Sequence, residues 1–195
     1  FQFGFTPLLD GFRYVPFNDP AALEAAITPK TCGIMLEPVQ GEGGVIIPDA
    51  QYLAKVREIC DRHRLLMIVD EVQTGIGRTG KLFAYEYSGI KPDIMTLAKA
   101  LGNGFPVGAM LATNEVARAF VPGNHASTFG GNLLAMAAAH ATLKTILKEN
   151  VLEHCLEMGT YFLEKLYALK TKHAIISDVR GKGLMIACAL SIEGA

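Results

Sequence analysis

The chain has 195 residues, with 18 Lys+Arg against 19 Asp+Glu, half of its residues hydrophobic and 19% charged. That length fits one domain, or one domain and part of another, and so apolar a chain buries most of itself, which excludes global disorder. A net charge of -1 without any Lys/Arg block gives no electrostatic footprint for a phosphate backbone or an anionic membrane, so no nucleic acid and no membrane is expected as a partner.

Along the chain, Asn18 or Asp19 ahead of Pro20 starts a helix whose Leu23, Ala26 and Ile27 share a face until Pro29. Residues 33–36 read as a buried strand. Pro48 and Asp49 open a second helix, with Tyr52, Leu53, Val56, Ile59 and Cys60 as its apolar stripe. Residues 65–69, 94–98 and 107–112 are further short apolar runs flanked by Pro and Gly, the pattern of strands covered on both faces. Strands alternating with helices predict a three-layer α/β architecture around a mainly parallel sheet.

From Leu133 the pattern changes to an Ala-rich helix ending near Lys148, a second helix over 151–168, and strands at 175–179 and 184–190. The expected division is therefore a large α/β domain over residues 1–148, lacking its N-terminal part, and the truncated start of a smaller α+β domain over 149–195. Phe1 stands where a start methionine would, and no basic stretch leads into an apolar run. The expectation is a piece of a longer cytoplasmic protein with no signal peptide and no membrane span. Cys32, Cys60, Cys155 and Cys188 form no CxxC pair and no metal-ligand spacing, so they are expected as reduced, mostly buried thiols, with no metal bound.

In open α/β sheets ligands sit beyond the carboxyl ends of the strands. The residues after the apolar runs there are Glu37-Pro38-Val39-Gln40-Gly41-Glu42-Gly43-Gly44, Asp70-Glu71-Val72-Gln73-Thr74-Gly75, and Lys99 ahead of Gly102-Asn103-Gly104. The glycines match neither a GxGxxG nor a GxxxxGK[ST] pattern, and Asp70 and Glu71 could equally cap the turn that follows. Lys99 lies among Leu97, Ala98, Ala100 and Leu101. A charged amine is costly to bury there, so either it reaches solvent or it has a chemical task. No histidine cluster, HExxH or GxSxG is present.

In this order, those segments together with Asp70 to Gly80, Lys91-Pro92-Asp93-Ile94, Leu97 to Gly102 and Ser127-Thr128-Phe129-Gly130-Gly131-Asn132 resemble the class III pyridoxal-phosphate aminotransferases, above all their acetylornithine branch. The likeness runs from end to end of the chain. It implies the large domain of the fold type I transferases, the start of their small domain, and pyridoxal 5'-phosphate as cofactor. On that resemblance Lys99 would form the imine with the cofactor, and Asp70 would pair with the pyridinium nitrogen. Glu71 would belong to the same cofactor-binding set, Val72 would lie against the ring, and Gln73 would bond the ring hydroxyl. Thr128 would hold the phosphate across a homodimer interface, with Ser127 beside it near the substrate, and Glu37 would line the substrate site.

The activity so implied is transfer of the δ-amino group of N-acetylornithine to 2-oxoglutarate, a step of arginine biosynthesis. Ornithine, succinyldiaminopimelate or 4-aminobutyrate are the alternative donors, and a non-catalytic α/β scaffold or small-ligand module is the alternative of another class. Leu133 stands where the family often has proline. The family's phosphate loop, ring-stacking aromatic and substrate arginines lie outside these residues, so this stretch alone is expected to be inactive.

Overall fold

The computed structural model describes residues 3–191. Asp19 accepts the Ala22 amide at 2.9 Å and Pro20 occupies the first helical position, so α1 (Pro20–Ala25) starts where the sequence places it. It is followed by β1 (Gly33–Leu36), α2 (Tyr52–His63), β2 (Leu66–Asp70), β3 (Ile94–Leu97), β4 (Ala109–Ala112) and the short α3 (Asn114–Ala117). Then come α4 (Leu133–Lys148), α5 (Val151–Lys170), β5 (Ile176–Lys182) and β6 (Met185–Leu190). The second helix starts later than expected. Asp49 does not cap it; its carbonyl accepts the Tyr52 amide and its own amide donates to Asn18.

The main sheet has the order β1-β2-β3-β4, with β1, β2 and β3 parallel and β4 antiparallel at the edge. Side chains alternate across it. On one face Ile34, Met67 and Val69 pack against the α2 stripe of Tyr52, Leu53, Val56, Ile59 and Cys60. Along the same face Met95 and Leu97 meet Ile76, Leu101 and the α4 residues Ala139, Leu143 and Ile146. The fully enclosed Val56, Met67 and Val69 each contribute on the order of 1.5–3 kcal/mol. On the other face Met35 is 56% exposed and Met110 is 47% exposed. Of the three expected layers, the described residues supply the sheet and one helical layer, and the second face is exposed in part.

The β5–β6 hairpin forms a separate antiparallel sheet, with α5 packed along it. It is tied to the main body at the turn 77–80, where the Leu184 amide and the Cys155 thiol both donate to the Arg78 carbonyl, at 3.1 and 3.4 Å. Of the four cysteines, Cys60 and Cys155 are buried as expected, whereas Cys32 and Cys188 are exposed. Burial pushes the Cys60 thiol up to about 11, which keeps it protonated and unreactive. No helix among the described residues is long and apolar enough to cross a membrane.

Candidate active site

The loops leaving the carboxyl ends of β1, β2 and β3 converge, together with the hairpin turn, on a cavity of about 510 Å³. Val45, Gln73, Arg78, Lys99, Asn103 and Met185 are among its lining residues. This is the crevice that a parallel sheet offers to a ligand.

Lys99 follows β3 at a point where the extended chain folds abruptly into a 3₁₀ turn, Lys99–Leu101, and its φ is +42°. A lysine gains nothing intrinsic from the left-handed region, so that conformation is stored strain, of the kind found where a side chain must be aimed. The side chain is exposed to the cavity rather than enclosed by its apolar neighbours. Of the two sequence alternatives, it reaches solvent, and it does so inside the cavity.

Asp70 closes β2 and lies directly beside Thr96 of β3 in the parallel register. Its Oδ1 accepts the Val72 amide at 2.9 Å, so the turn-capping role foreseen for it is present. Its Oδ2 has no hydrogen bond among the described residues. The Thr96 hydroxyl is buried with no partner either. The sequence reading passed over Thr96, although a hydroxyl inside the apolar run 94–98 was its signal.

Glu71, which the resemblance places in the cofactor-binding set, has its carboxylate turned inward, and only 1% of the residue is exposed. It accepts the Thr74 hydroxyl, the Ala84 amide at 3.0 Å and the Tyr85 amide at 2.9 Å. Glu71 therefore ties the 71–85 loop into the core, and its oxygens are taken. Burial pushes its carboxyl above the usual range, while those donors pull the other way.

Gln73 links two motifs. A Cβ on Gly41 would lie 2.5 Å from the Gln73 side chain, so only glycine lets that amide rest there, and its Nε2 donates to Glu42 at 3.4 Å. Glu37 is half-buried, and its Oε2 accepts the Gly41 amide at 2.9 Å. Gln73 and Lys99 thus share the cavity, whose lining does not include Glu37, Asp70 or Val72. Ser127 and Thr128 are in an exposed turn and are not among its lining residues. That turn and the start of α4 are apolar and bare, with Phe129 79%, Leu133 88% and Leu134 71% exposed. Arg78 and Asn103 are cavity residues that the sequence did not single out. No group of His, Cys, Asp and Glu among the described residues could hold a metal ion.

The model of the family described as aminotransferase class-III matches residues 5–194. The chain belongs to the class III aminotransferases. It is 55% identical over 192 residues to the acetylornithine aminotransferase of Caldanaerobacter subterraneus subsp. tengcongensis, covering 98% of this chain and 49% of that protein. It is 50% identical over 192 residues to ornithine aminotransferase 2 of Staphylococcus aureus, covering 98% and 48% respectively. Among solved structures, the ornithine aminotransferase of Toxoplasma gondii, which shows partial occupancy of PLP (pyridoxal phosphate) at its active site, superposes with a TM-score of 0.89. There the identity is 38%, over 93% of this chain and 43% of that one. The chain thus spans about half the length of the relatives it matches.

Proposed function

We propose that the complete protein is a pyridoxal-phosphate-dependent aminotransferase that moves the δ-amino group of N-acetylornithine to 2-oxoglutarate. The observation that carries this reading is Lys99, a primary amine held at a strained φ on the cavity at the carboxyl edge of the parallel strands. The residues around it fit the cofactor. An amine is available for an aldehyde, and a carboxylate with a free oxygen ends the next strand. A buried hydroxyl without a partner lies beside that carboxylate. When bound, the cofactor supplies an aldehyde and an electron-accepting ring.

In this reading Lys99 would hold the cofactor through its amine and carry a proton at its Nζ. Asp70 would hold the ring nitrogen in its protonated form, Val72 and Gln73 would orient the ring, and Glu37 would line the substrate site. Thr128 would serve the phosphate site of a second copy, with Ser127 beside it near that substrate. Support for a second copy comes from α4, which is apolar on both its faces and covered on one. The division into 1–148 and 149–195 and a cytoplasmic setting belong to the same proposal. So does inactivity of this stretch alone.

The relatives include an ornithine enzyme, so ornithine is the competing donor. The test is to purify the complete protein and follow glutamate formation from 2-oxoglutarate with N-acetylornithine, ornithine, succinyldiaminopimelate and 4-aminobutyrate in parallel. The expected order puts N-acetylornithine first in kcat/KM. A higher value for any of the others overturns the donor, and no turnover with any amine overturns the reading.

A further inference from the structure

Arg180 of β5 reaches from the hairpin to the loop that leaves β1. Its Nε donates to the carbonyls of Gly44 at 3.0 Å and Val45 at 3.1 Å, and its Nη2 donates to Gly44 as well. Nη1 pairs with Asp178 Oδ2 at 2.6 Å, and Lys170 approaches the other oxygen of Asp178 at 3.7 Å. The contact closes a span of 135 to 136 residues.

The gripped loop is tightly made. Gln40 and Ile46 exchange both backbone hydrogen bonds, at 3.0 and 2.9 Å, and the amides of Gly44 and Val45 both donate to the Gly41 carbonyl. Gly44 has φ +108° and Val45 has φ +55°, the second a costly conformation for a β-branched residue. Such a turn persists only when something holds it. Among the described residues, Arg180 is the sole donor to the two carbonyls at its tip.

The turn supports the cavity directly. Val45 lines it, Gly41 seats Gln73, and the Gly41 amide fixes Glu37. On the hairpin side Leu184, Met185 and Ile186 line it too. We propose that Arg180 is a positioning residue that locks the 40–46 loop to the hairpin and so sets the fit of the substrate side chain against Val45 and Glu37. This rests on the reading of the cavity as the active site. Lys99 and Asp70 belong to other loops, so loss of the lock acts on substrate fit more than on chemistry. Only a planar fork meets two carbonyls and a carboxylate together, so lysine is no substitute.

The test uses the complete protein with pyridoxal phosphate, as wild type, Arg180→Gln, Arg180→Lys and Asp178→Asn. In Arg180→Gln the KM for the amino donor rises roughly tenfold, the scale of a lost charged hydrogen bond. Its kcat stays within about threefold, as expected when ground-state fit is what is lost. Amide hydrogen exchange in 40–46 speeds up in the same variant. Arg180→Lys does not rescue either readout, and Asp178→Asn moves both in the same direction by less. A folded Arg180→Gln with unchanged KM and unchanged exchange overturns the proposal, as does a loss confined to kcat. Should Arg180→Gln fail to fold, Asp178→Asn decides by the same two readouts. Should the wild type transaminate nothing, the functional reading fails, and exchange in 40–46 still decides for or against the lock.

Discussion

Asp70 and Thr96 are register partners on neighbouring parallel strands, and between them they leave one carboxylate oxygen and one buried hydroxyl without a partner among the described residues. Polar groups so placed at the carboxyl edge of a sheet are either costly or used. Asp70→Asn keeps an oxygen for the Val72 amide, so the turn holds while the charge is lost. In the complete protein kcat should fall roughly 10²-fold or more, by comparison with other electrostatic contacts to a reacting group. Steady-state kinetics check this. A variant changed in KM alone contradicts the assignment.

Lys99→Ala should abolish turnover and leave the fold intact. The residue is exposed, and exposed substitutions mostly stay within about 0.5 kcal/mol. The left-handed φ is no easier for alanine, so no stability gain is expected. Melting curves and a transamination assay on the same preparation separate the two effects. Borohydride reduction of the wild type with pyridoxal phosphate, followed by peptide mapping, should label Lys99. Labelling confined to another lysine removes it from its role.

Glu71→Gln should cost about 1–3 kcal/mol, because the amide nitrogen would face a backbone N–H that now has a carboxyl oxygen. The wild-type carboxyl is raised by burial from its ordinary 4.5. The folded chain therefore holds that proton more tightly than the unfolded chain does. The contribution of this group is complete below 4.5 and is lost as pH rises through the raised folded value. Urea midpoints of wild type and variant across that interval should converge as pH increases. A constant difference would show that Glu71 titrates alike in the folded and the unfolded chain.

How much of this was legible depended on whether a feature was local. The α4 limits, Leu133 and Lys148, were readable because Asn132 caps the Ala135 amide and the Ala-rich run has a helical pattern. Strand 33–36 was equally plain. The edge strand was placed too early, since Val107 and Gly108 are apolar or small yet unpaired, and β4 starts at Ala109. The inward turn of Glu71 was not legible, because an acid beside Asp70 in a loop looks the same whether it faces a cavity or the core. Its partners Ala84 and Tyr85 are distant in sequence. Arg180 was invisible for the same reason: the carbonyls it holds belong to another element. The resemblance carried the family, and the geometry then showed which of its residues line the cavity.

Gly159 tests the joint between α5 and the hairpin, and the sign of its substitution has to be decided by magnitude. In an isolated helix Gly→Ala is favourable by about 1 kcal/mol. Here a Cβ would lie 2.2 Å from the Gly183 carbonyl oxygen and 2.5 Å from its carbon, both backbone atoms that cannot swing aside. Gly183 itself is wedged, since a Cβ there would lie 2.4 Å from the Thr79 backbone, so the turn cannot retreat from α5 without leaving the 77–80 loop. Overpacking of that kind costs typically 1–3 kcal/mol and more where backbone must move. The clash outweighs the propensity gain. Gly159→Ala should lower the melting midpoint of the complete protein by a few degrees, at roughly 2–4 °C per kcal/mol. It should also weaken the Leu184 to Arg78 hydrogen bond, which amide exchange at Leu184 reports. A raised midpoint with slow exchange at Leu184 would mean that helix propensity wins and that the joint has slack.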